Sequence, residues 1–530
     1  MNILIAEPIT PAAIELFQAQ AGWNTIVSNP KEYAQHLAHA DALLVRSAVQ
    51  VDESVLSKAP CLRVIGRAGV GVDNVDLDAA TEAGVLVMNT PGGNAVSVAE
   101  HTLALMLAMA RHIPRADHST RAGKWEKKKL MGNELRGKTL GVVGLGSIGR
   151  EVAKRARVFE MRVIAHDPYV TSKLAQDYCI ELVDLSTLYG ESDYLSLHVA
   201  ATPETQGMLS REAFAAMKPG VRIVNCARGE LVDENALLEA LAAGKVAGAA
   251  MDVYSTEPPP AGFPLFQSEA LVATPHIGGS TEEAQEIVGV RIAEQVAEYL
   301  KTGVAINAVN MPAISRDQYR ALKPYVNLAT RLGHFAAQVA AGNPVTVRLL
   351  YSGKLAESNT SLLRNAGLAG VLTRSTSKQV NLVNAMQIAE SRGWTIVERR
   401  EMRTGLTDTI SIEIETDTGM TSAEGAVVFD KPRLLQIDGI QCEATLTGFL
   451  TLMKNQDVPG VIGFAGTVLG RNRINIANFS LGRRDEPLKP GDPLEAIALV
   501  TTDEAVPEPV LAQLRENSAV RLARSIEFRD

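Results

Sequence analysis

The sequence contains little cysteine and few aromatic residues. Its four cysteines, Cys61, Cys179, Cys226 and Cys442, are scattered along 530 residues without a CxxC pair. A disulfide framework and a zinc site are therefore not expected, no metal is predicted, and a reducing cytoplasm is the expected compartment. Aromatic residues make up 5% of the chain and hydrophobic residues 46%. These fractions are typical of a globular α/β protein rich in alanine, valine and leucine.

The chain also lacks a long apolar run and an excess of basic residues. Its most apolar helical stretch, residues 98–110, is interrupted by Glu100 and His101 and is too short to span a bilayer. The segment Met1–Pro8 is typical of a buried strand entering a turn and not of a signal peptide. The net charge of -8 argues against broad nucleic-acid binding. We expect a soluble protein of three or four domains, with neither a membrane nor a nucleic acid as partner.

Short strand-like runs alternate with amphipathic helical stretches over the first 300 residues. This order is typical of parallel sheets covered by helices. The pattern predicts a long helix from Val96 to about Ala122 between two such series, and another from Glu282 to Leu300 after them. The predicted strands are 3–6, 42–45 and 62–66 in the first series, and 139–143, 162–166, 194–198, 222–225, 248–253 and 271–273 in the second.

The pattern changes after a predicted linker at 307–312. Residues 315–450 mix strand-like alternation with helical stretches and contain no evident cluster of catalytic residue types. The last segment predicts a strand, a helix, two strands and a further helix at Glu508–Arg515. That order is ferredoxin-like.

A glycine-rich loop joins the predicted strand 139–143 to a helix. In its Gly-x-Gly-x-x-Gly pattern, Gly144 allows the tight turn, Gly146 lets the backbone approach a pyrophosphate, and Gly149 allows close helix–strand packing. The amides at the start of the helix favour an anion. The motif predicts a dinucleotide site, although a glycine-rich turn without a ligand remains the alternative.

Asp167 strengthens the dinucleotide interpretation. It ends the next predicted strand, 18 residues after Gly149. A carboxylate there accepts hydrogen bonds from the adenosine ribose and repels a 2′-phosphate, so the sequence predicts NAD and not NADP.

Polar residues follow three further strands of the second series. The carboxyl ends of parallel strands line one crevice, so Arg228, Glu257 and His276 could converge on one substrate. A histidine can take the proton of a hydroxyl group, and a glutamate bonded to it fixes its tautomer. An arginine binds a carboxylate with two prongs. Asp252 could approach the nicotinamide end of the same crevice. Taken singly, His276 could be a loop residue and Arg228 a surface ion pair.

With these residues and the segment Gly66-Arg67-Ala68-Gly69-Val70-Gly71-Val72-Asp73-Asn74, the chain resembles the D-2-hydroxyacid dehydrogenases. Within them it is similar, over essentially its whole length, to the long-form D-3-phosphoglycerate dehydrogenases. The resemblance implies a doubly wound parallel-sheet cofactor domain inserted in a flavodoxin-like substrate domain. It also implies an α+β intervening domain and a ferredoxin-like ACT domain. The implied bounds are 1–94 with 283–310 for the substrate-binding domain, 95–282 for the NAD-binding Rossmann domain, 311–448 for the intervening regulatory domain and 449–530 for the ACT domain.

The resemblance implies NAD-dependent oxidation of 3-phospho-D-glycerate to 3-phosphohydroxypyruvate, the first step of L-serine biosynthesis. It assigns substrate orientation to Arg228 and acid–base catalysis to Glu257 and His276. NAD contacts are implied at Val70, Gly144, Gly146, Ser147, Ile148, Gly149, Asp167, Val199, Ala200, Cys226, Ala227, Arg228, Asp252, His276, Gly278 and Gly279. Val70 and Val199 stand where threonine is usual, so only their backbones are expected to contact NAD.

The substrate side is implied by a second group, in which arginines suit the phosphate. It comprises Arg46, Ser47, Arg67, Gly69 and Asn94, although Arg46 could instead be solvated. The Lys127–Lys129 run either reaches a neighbouring subunit's site or is a solvated charge run. A homodimer or homotetramer is expected.

The ACT domain suggests an effector site at Asp457 and Asn475, across a subunit interface. The histidine of serine-inhibited relatives is absent, and Asn455 stands in its place. L-Serine is therefore a candidate effector only. Two alternatives remain open: a hydroxypyruvate or glyoxylate reductase of the same family, and a non-catalytic NAD-sensing corepressor.

Overall fold

The computed structural model describes residues 1–312, 314–373, 379–402, 407–487 and 493–528, which fold around four β-sheets. The sheets follow one another along the chain with five, seven, six and four strands. Within the described ranges, no helix is both long enough and apolar enough to cross a membrane.

The first sheet is wholly parallel, with strand order β2-β1-β3-β4-β5. Its central strand, Ala42–Val45, is apolar throughout because helices cover both faces of the sheet, and all four of its residues are buried. Its strands are β1 (Asn2–Ile5), β2 (Asn24–Val27), β3 (Ala42–Val45), β4 (Val64–Arg67) and β5 (Leu86–Met88). Its helices are α1 (Pro11–Gln18), α2 (Glu53–Leu56) and α3 (Leu77–Glu82), with a 3₁₀ helix at Tyr33–His39.

The second sheet is also parallel, in the doubly wound order β12-β11-β10-β9-β6-β7-β8. Its strands are β6 (Thr139–Val143), β7 (Arg162–His166), β8 (Glu181–Leu182), β9 (Tyr194–Leu197), β10 (Val221–Asn225), β11 (Val246–Met251) and β12 (Leu271–Ala273). Its helices are α4 (Ala95–Ala110), α5 (Ile113–Arg121), α6 (Ser147–Val158), α7 (Ser172–Asp177), α8 (Leu185–Glu191), α9 (Arg211–Ala216) and α10 (Glu234–Ala242). Short 3₁₀ helices lie at Lys127–Lys129, Gly229–Leu231 and Pro264–Gln267.

The prediction of one long helix from Val96 to Ala122 was wrong. The structure has two helices, because His112 adopts a left-handed conformation with φ of 51° and ends the run. Pro114 then stands in the first turn of α5, where its missing N–H costs no hydrogen bond.

Helix α11 (Glu282–Thr302) returns the chain from the second sheet to the first. Its apolar face joins the core of β1 and β3, where Val288, Ile292 and Val296 are buried. A Cβ on Gly66 would lie 2.8 Å from Val296, so glycine allows this close packing. The second domain is therefore inserted in the first, as the resemblance implies.

The third and fourth sheets form the C-terminal part. The third has order β14-β13-β15-β16-β17-β18, with only β13 and β14 parallel to each other, and the fourth is antiparallel with order β20-β21-β19-β22. This last order confirms the ferredoxin-like prediction. The strands are β13 (Pro344–Ser352), β14 (Thr395–Glu401), β15 (Thr409–Thr416), β16 (Met420–Val428), β17 (Lys431–Ile437), β18 (Ile440–Thr445), β19 (Gly448–Gln456), β20 (Ile476–Arg483), β21 (Glu495–Thr502) and β22 (Val520–Phe528). The helices are α12 (Arg316–Val339), α13 (Ser361–Leu372), α14 (Ala385–Ser391), α15 (Val461–Arg471) and α16 (Glu508–Arg515), with a 3₁₀ helix at Gly353–Glu357.

One hydrophobic core joins these two sheets. Leu452 and Ile497 of the fourth sheet pack in the same cluster as Leu332 of α12. Arg524 of β22 also donates to the carbonyl oxygens of Val339 and Ala340 at the end of α12, at 3.3 and 3.4 Å. The implied domain bounds stay predictions, but the two C-terminal units share their interior.

Glycines set the distance between α12 and α13. A Cβ on Gly333 would overlap the carbonyl oxygen of Gly367, so Gly333→Ala must push the helices apart. We expect the substitution to destabilise this unit by about 1–3 kcal/mol and to lower its thermal midpoint in calorimetry of the full chain. The control is Gly466→Ala in α15, where a Cβ meets no described atom within 4 Å. Alanine there should raise stability by up to about 1 kcal/mol, and equal midpoints for the two variants would contradict the packing argument.

Candidate active site

The glycine loop lies where β6 ends and α6 begins, at the carboxyl edge of the second sheet. Gly144 has φ of 91°, and a Cβ there would lie 2.6 Å from the carbonyl oxygen of His198. A Cβ on Gly149 would overlap the carbonyl oxygen of Gly144. A Cβ on Gly146, in contrast, would meet no atom of the described residues within 4 Å. The loop is thus tight on its protein side and open at Gly146 and the start of α6, from Ser147 through Ile148, which fits a pyrophosphate.

Asp167 is fixed against this loop. Its Oδ2 accepts a hydrogen bond from the backbone of Leu145 at 2.8 Å, and its Oδ1 accepts one from the backbone of Tyr169 at 2.9 Å. The carboxylate is therefore held at the end of β7, where it suits a ribose and repels a phosphate.

Three more of the predicted NAD-binding residues, Val199, Ala200 and Val70, make contacts within the chain. A Cβ on Gly144 would lie 2.7 Å from Cγ1 of Val199, so these two residues are in contact. Ala200 accepts a hydrogen bond from Thr205 at 2.7 Å, and Val70 accepts one from Asn89 at 2.5 Å. Burial raises the pKa of the Cys226 thiol to about 12, so this residue is a neutral wall of the site and not a nucleophile.

His276 and Glu257 form a hydrogen-bonded pair. The Nδ1 of His276 lies 2.6 Å from Oε2 of Glu257, and the His276 side chain is 51% exposed. The hydrogen bond to Glu257 raises the pKa of His276, against an opposing effect of burial. Burial by itself would raise the pKa of Glu257, but hydrogen bonds from His276 and the Tyr254 backbone outweigh it and lower the pKa. The pair is therefore an imidazole hydrogen-bonded to a carboxylate, an arrangement that can take up and release a proton.

The loop that carries His276 is held by Asp252. The backbone N–H of His276 donates to the Asp252 carbonyl oxygen at 2.8 Å, and those of Ile277 and Gly278 donate to its Oδ1 and Oδ2 at 2.9 and 2.8 Å. These bonds fix His276 in a left-handed conformation with φ of 53°. Gly278 passes so close that a Cβ on it would lie 3.1 Å from Asp252.

Asp252 is itself supported from behind. It is 1% exposed, Thr274 donates to its Oδ1 at 2.6 Å, and Nε2 of His101 lies 3.3 Å away. Burial would raise the pKa of Asp252, but hydrogen bonds from His101, Thr274 and the loop amides outweigh it and lower the pKa. The expectation that Asp252 could approach the nicotinamide end of the crevice stays a prediction; in the structure its two carboxylate oxygens accept from the His276 loop. Asp252, His101 and Cys226 place three potential metal-ligand atoms within 4.8 Å of one another. Both carboxylate oxygens of Asp252, however, already accept hydrogen bonds.

Arg228 is presented by a short loop after β10. The buried Asn225 side chain donates to the Arg228 carbonyl oxygen at 2.8 Å and accepts from Ala227 at 3.0 Å. A Cβ on Gly229 would overlap the backbone of Tyr254, so this loop packs directly against the segment that leads to Glu257. The positive charge of Arg228 acts to lower the pKa of His276, although the hydrogen bond to Glu257 outweighs it.

The predicted substrate ligands line the opposite side, on the first sheet. Among the described residues, Nε of Arg67 and Oδ1 of Asn94 are buried without a hydrogen-bond partner. Burial lowers the pKa of Arg67. Gly69 leaves room for Arg67, since a Cβ there would overlap Nη1, and a Cβ on Gly279 would lie 2.9 Å from Asn94. One donor, Nε of Arg67, and one acceptor, Oδ1 of Asn94, are therefore left unpaired by the described residues.

Arg46 and Ser47 lie at the edge of this region. Ser47 is exposed, while Nη1 of Arg46 lies 3.4 Å from the Pro8 carbonyl oxygen. Arg46 also lines a cavity of about 210 Å³ that includes Thr10 and Gln285. The structure thus places Arg46 beside a cavity and Ser47 on the surface.

The two predicted effector residues do not meet within one chain. Asp457 follows Gln456, the last residue of β19, which pairs with Glu495. Asn475 precedes Ile476, the first residue of β20, which pairs with Thr502. Glu495 and Thr502 are opposite ends of β21, about 23 Å apart at strand rise. Asp457 instead lies 3.4 Å from Arg483.

Sequence reasoning missed three supports of the site: Asn225, Thr274 and Asp73. Asn225 and Thr274 each adjoin a strand end that was predicted, so their position gave a weak signal. Asp73 belongs to the quoted segment 66–74, but its contact with Arg228 joins residues 155 positions apart.

Two family models match the chain. Residues 103–278 match the D-isomer specific 2-hydroxyacid dehydrogenase NAD binding domain. Residues 321–438 match the D-3-phosphoglycerate dehydrogenase intervening domain. The second sheet is thus an NAD-binding domain.

Solved structures resemble a little over half of the chain. The apo-structure of D-lactate dehydrogenase from Escherichia coli is 30% identical, with a TM-score of 0.52, over 58% of this chain and 100% of that chain. The NAD-dependent formate dehydrogenase from Staphylococcus aureus in complex with NAD is 28% identical, with a TM-score of 0.53, over 58% of this chain and 99% of that chain.

Curated relatives match over nearly the whole length. The D-3-phosphoglycerate dehydrogenase of Methanocaldococcus jannaschii is 42% identical over 97% of this chain and 98% of its own. Those of Archaeoglobus fulgidus and Bacillus subtilis are 42% and 38% identical, over 100% and 92% of each chain. With identity of this level across all four sheets, the chain belongs to the D-3-phosphoglycerate dehydrogenase family of NAD-dependent D-2-hydroxyacid dehydrogenases.

Proposed function

We propose that the protein oxidises 3-phospho-D-glycerate to 3-phosphohydroxypyruvate with NAD, as the first step of L-serine biosynthesis. The observation that carries this proposal is the His276–Glu257 pair, joined at 2.6 Å in the crevice that also holds Arg228. Steady-state formation of NADH with 3-phosphoglycerate, compared with D-glycerate and D-lactate, tests it. Equal catalytic efficiency with D-glycerate would reject the phosphorylated substrate.

His276 acts as the general base in this scheme. Since Glu257 accepts the Nδ1–H, the lone pair of the neutral imidazole is at Nε2, and this nitrogen takes the proton of the substrate hydroxyl. Glu257 then stabilises the imidazolium that forms. Bound NAD supplies the acceptor for the hydride that leaves the carbon bearing this hydroxyl group. In the reverse direction, His276 returns the proton.

Two cationic groups hold the two ends of the substrate. Arg228 binds the carboxylate with two prongs, which fixes the hydroxyl-bearing carbon beside His276. Arg67, with Asn94, binds the phosphate, and the buried Nε of Arg67, a donor without a partner among the described residues, supports this assignment. Arg46, Ser47 and the backbone at Gly69 complete the phosphate side.

The oligomer is a further part of the proposal. Trp125 is 85% exposed and adjoins the exposed Lys127–Lys129 turn, which is unusual for an isolated surface. We propose that this region packs on a second copy in a homodimer or homotetramer, where Lys127 reaches the neighbouring site.

An effector site between two ACT domains is also proposed. Asp457 of one chain and Asn475 of another would hold the ammonium and carboxylate groups of L-serine. The buried Oδ1 of Asn455, which lacks a hydrogen-bond partner among the described residues, supports a ligand at the Asp457 end.

The four unpaired cysteines suit a reducing compartment such as the cytoplasm.

Removal of the base should stop turnover without preventing cofactor binding. We expect His276→Ala to lower kcat by about 10²–10⁴-fold, the usual contribution of general acid–base catalysis. The Kd for NADH, measured by fluorescence titration, should change far less. His39→Ala removes an exposed imidazole from the first domain and should leave both values unchanged. An unaltered kcat in His276→Ala would remove this residue from its role.

Loss of the carboxylate partner should move the pH profile. Because the hydrogen bond to Glu257 raises the pKa of His276, Glu257→Gln should lower that pKa. At low pH the base is protonated, and kcat/KM for oxidation falls. In Glu257→Gln this fall should therefore occur at lower pH, and the plateau value of kcat/KM should decrease. The matched control is Glu230→Gln, an exposed glutamate two residues after Arg228. An acid limb that stays in place in Glu257→Gln would contradict the assigned pair.

Arg67 should matter only for the phosphorylated acid. A charged hydrogen bond is worth about 1.5–3 kcal/mol, so Arg67→Ala should raise KM for 3-phosphoglycerate by about 10- to 100-fold. KM for D-glycerate should hardly change, because that acid has no phosphate. Arg63→Ala, just before the start of β4, controls for general loss of positive charge. A parallel rise in KM for both acids would place the phosphate elsewhere.

A further inference from the structure

The carboxylate of Asp73 contacts the guanidinium group of Arg228. Nη2 of Arg228 is 2.9 Å from Oδ2 of Asp73, and Nε is 3.3 Å from Oδ1. Both carboxylate oxygens therefore face one edge of the guanidinium group. This is the two-pronged geometry in which an arginine holds any carboxylate.

The pair joins the two sides of the crevice. Asp73 belongs to the segment after β4 of the first sheet, whereas Arg228 follows β10 of the second. A Cβ on Gly71 would overlap Nη2 of Arg228 and lie 2.6 Å from Asp73 Oδ2, so the segment fits closely around the pair.

Asp73 also lies near the other charged groups of the site. Its negative charge raises the pKa of Arg67, against the larger effect of burial, so the carboxylate is within range of both proposed substrate arginines. The Arg228 charge in turn acts on His276. The Asp73 carboxylate therefore lies on the very arginine that the substrate carboxylate needs.

We propose that Asp73 is an internal competitor of the substrate: its carboxylate takes the place of the substrate carboxylate on Arg228, and the substrate must displace it to bind. This inference rests on the proposed role of Arg228. The Asp73 side chain is 70% exposed and that of Arg228 27% exposed, so water screens the pair and solvates the displaced carboxylate. The contact is therefore weak enough to be exchanged for a ligand.

Asp73→Asn removes the charge and keeps the size of the side chain. Exposed ion pairs of this kind change an equilibrium by about two- to five-fold. We expect KM for 3-phosphoglycerate and for D-glycerate to fall by that factor at saturating NAD, with a smaller change in kcat. A rise in KM would make Asp73 a positioning residue that orients Arg228, and would overturn the proposal. An unchanged KM would overturn it as well.

Two controls separate competition from a general effect of charge. Asp78→Asn removes an exposed carboxylate five residues along, in the first turn of α3, and should leave KM unchanged. In an Arg228→Gln background, Asp73→Asn should lower KM no further, because the fork is absent. A similar fall in KM in either control would contradict the proposal.

Binding without turnover separates this inference from the proposed function. The Kd of D-glycerate, measured by titration calorimetry with the NADH-loaded protein, should be about two- to five-fold lower in Asp73→Asn than in the wild type. An equal or higher Kd would reject the inference. Wild-type protein that fails to oxidise 3-phosphoglycerate would reject the proposed function, while the calorimetric comparison would still decide whether Asp73 competes for the fork.

Discussion

The geometry of the site depends on one buried carboxylate. Asp252 uses its carbonyl oxygen and both carboxylate oxygens to hold three successive backbone amides, from His276 to Gly278. A residue with a side chain rarely adopts a positive φ, so His276 keeps its conformation only because these bonds fix it. Four donors, from His101, Thr274, Ile277 and Gly278, also allow Asp252 to stay charged although it is almost wholly buried. The contact between His276 and Glu257 therefore follows from a group that lies beneath the site.

A second constraint is the meeting of two parallel sheets. Each sheet presents the carboxyl ends of its strands to the crevice, so loops from both can contact one ligand. Arg67 and Asp73 come from the first sheet, and Arg228 and His276 come from the second. Helix α11 returns to the first sheet after the second is complete, and this return holds the two sheets side by side.

The C-terminal units are physically continuous with the first sheet. Asn381 donates to the carbonyl oxygen of Gly84 at 2.7 Å, and Leu362 and Val383 share the core of β1. The fourth sheet shares the core of α12 in turn. Packed contacts therefore run from the fourth sheet through α12 and the third sheet to the first sheet.

Local patterns determined much of the fold and part of the site. Strands such as Thr139–Val143 and Arg162–His166 were predicted to the residue, because apolar runs end there at glycine or a charged group. The helix from 96 to 122 was predicted wrongly, since one left-handed residue at His112 leaves no clear pattern in the sequence. By itself, the sequence determined the order of strands and helices, the glycine loop and the residue types needed for hydride transfer from an acid. Only the tertiary structure decided that Asp252 faces the His276 loop, that Asp73 lies on Arg228 and that Asp457 and Asn475 lie at opposite ends of one sheet. Hydrophobic periodicity and turn chemistry act between neighbours along the chain, whereas these contacts join residues brought together by packing and long-range register.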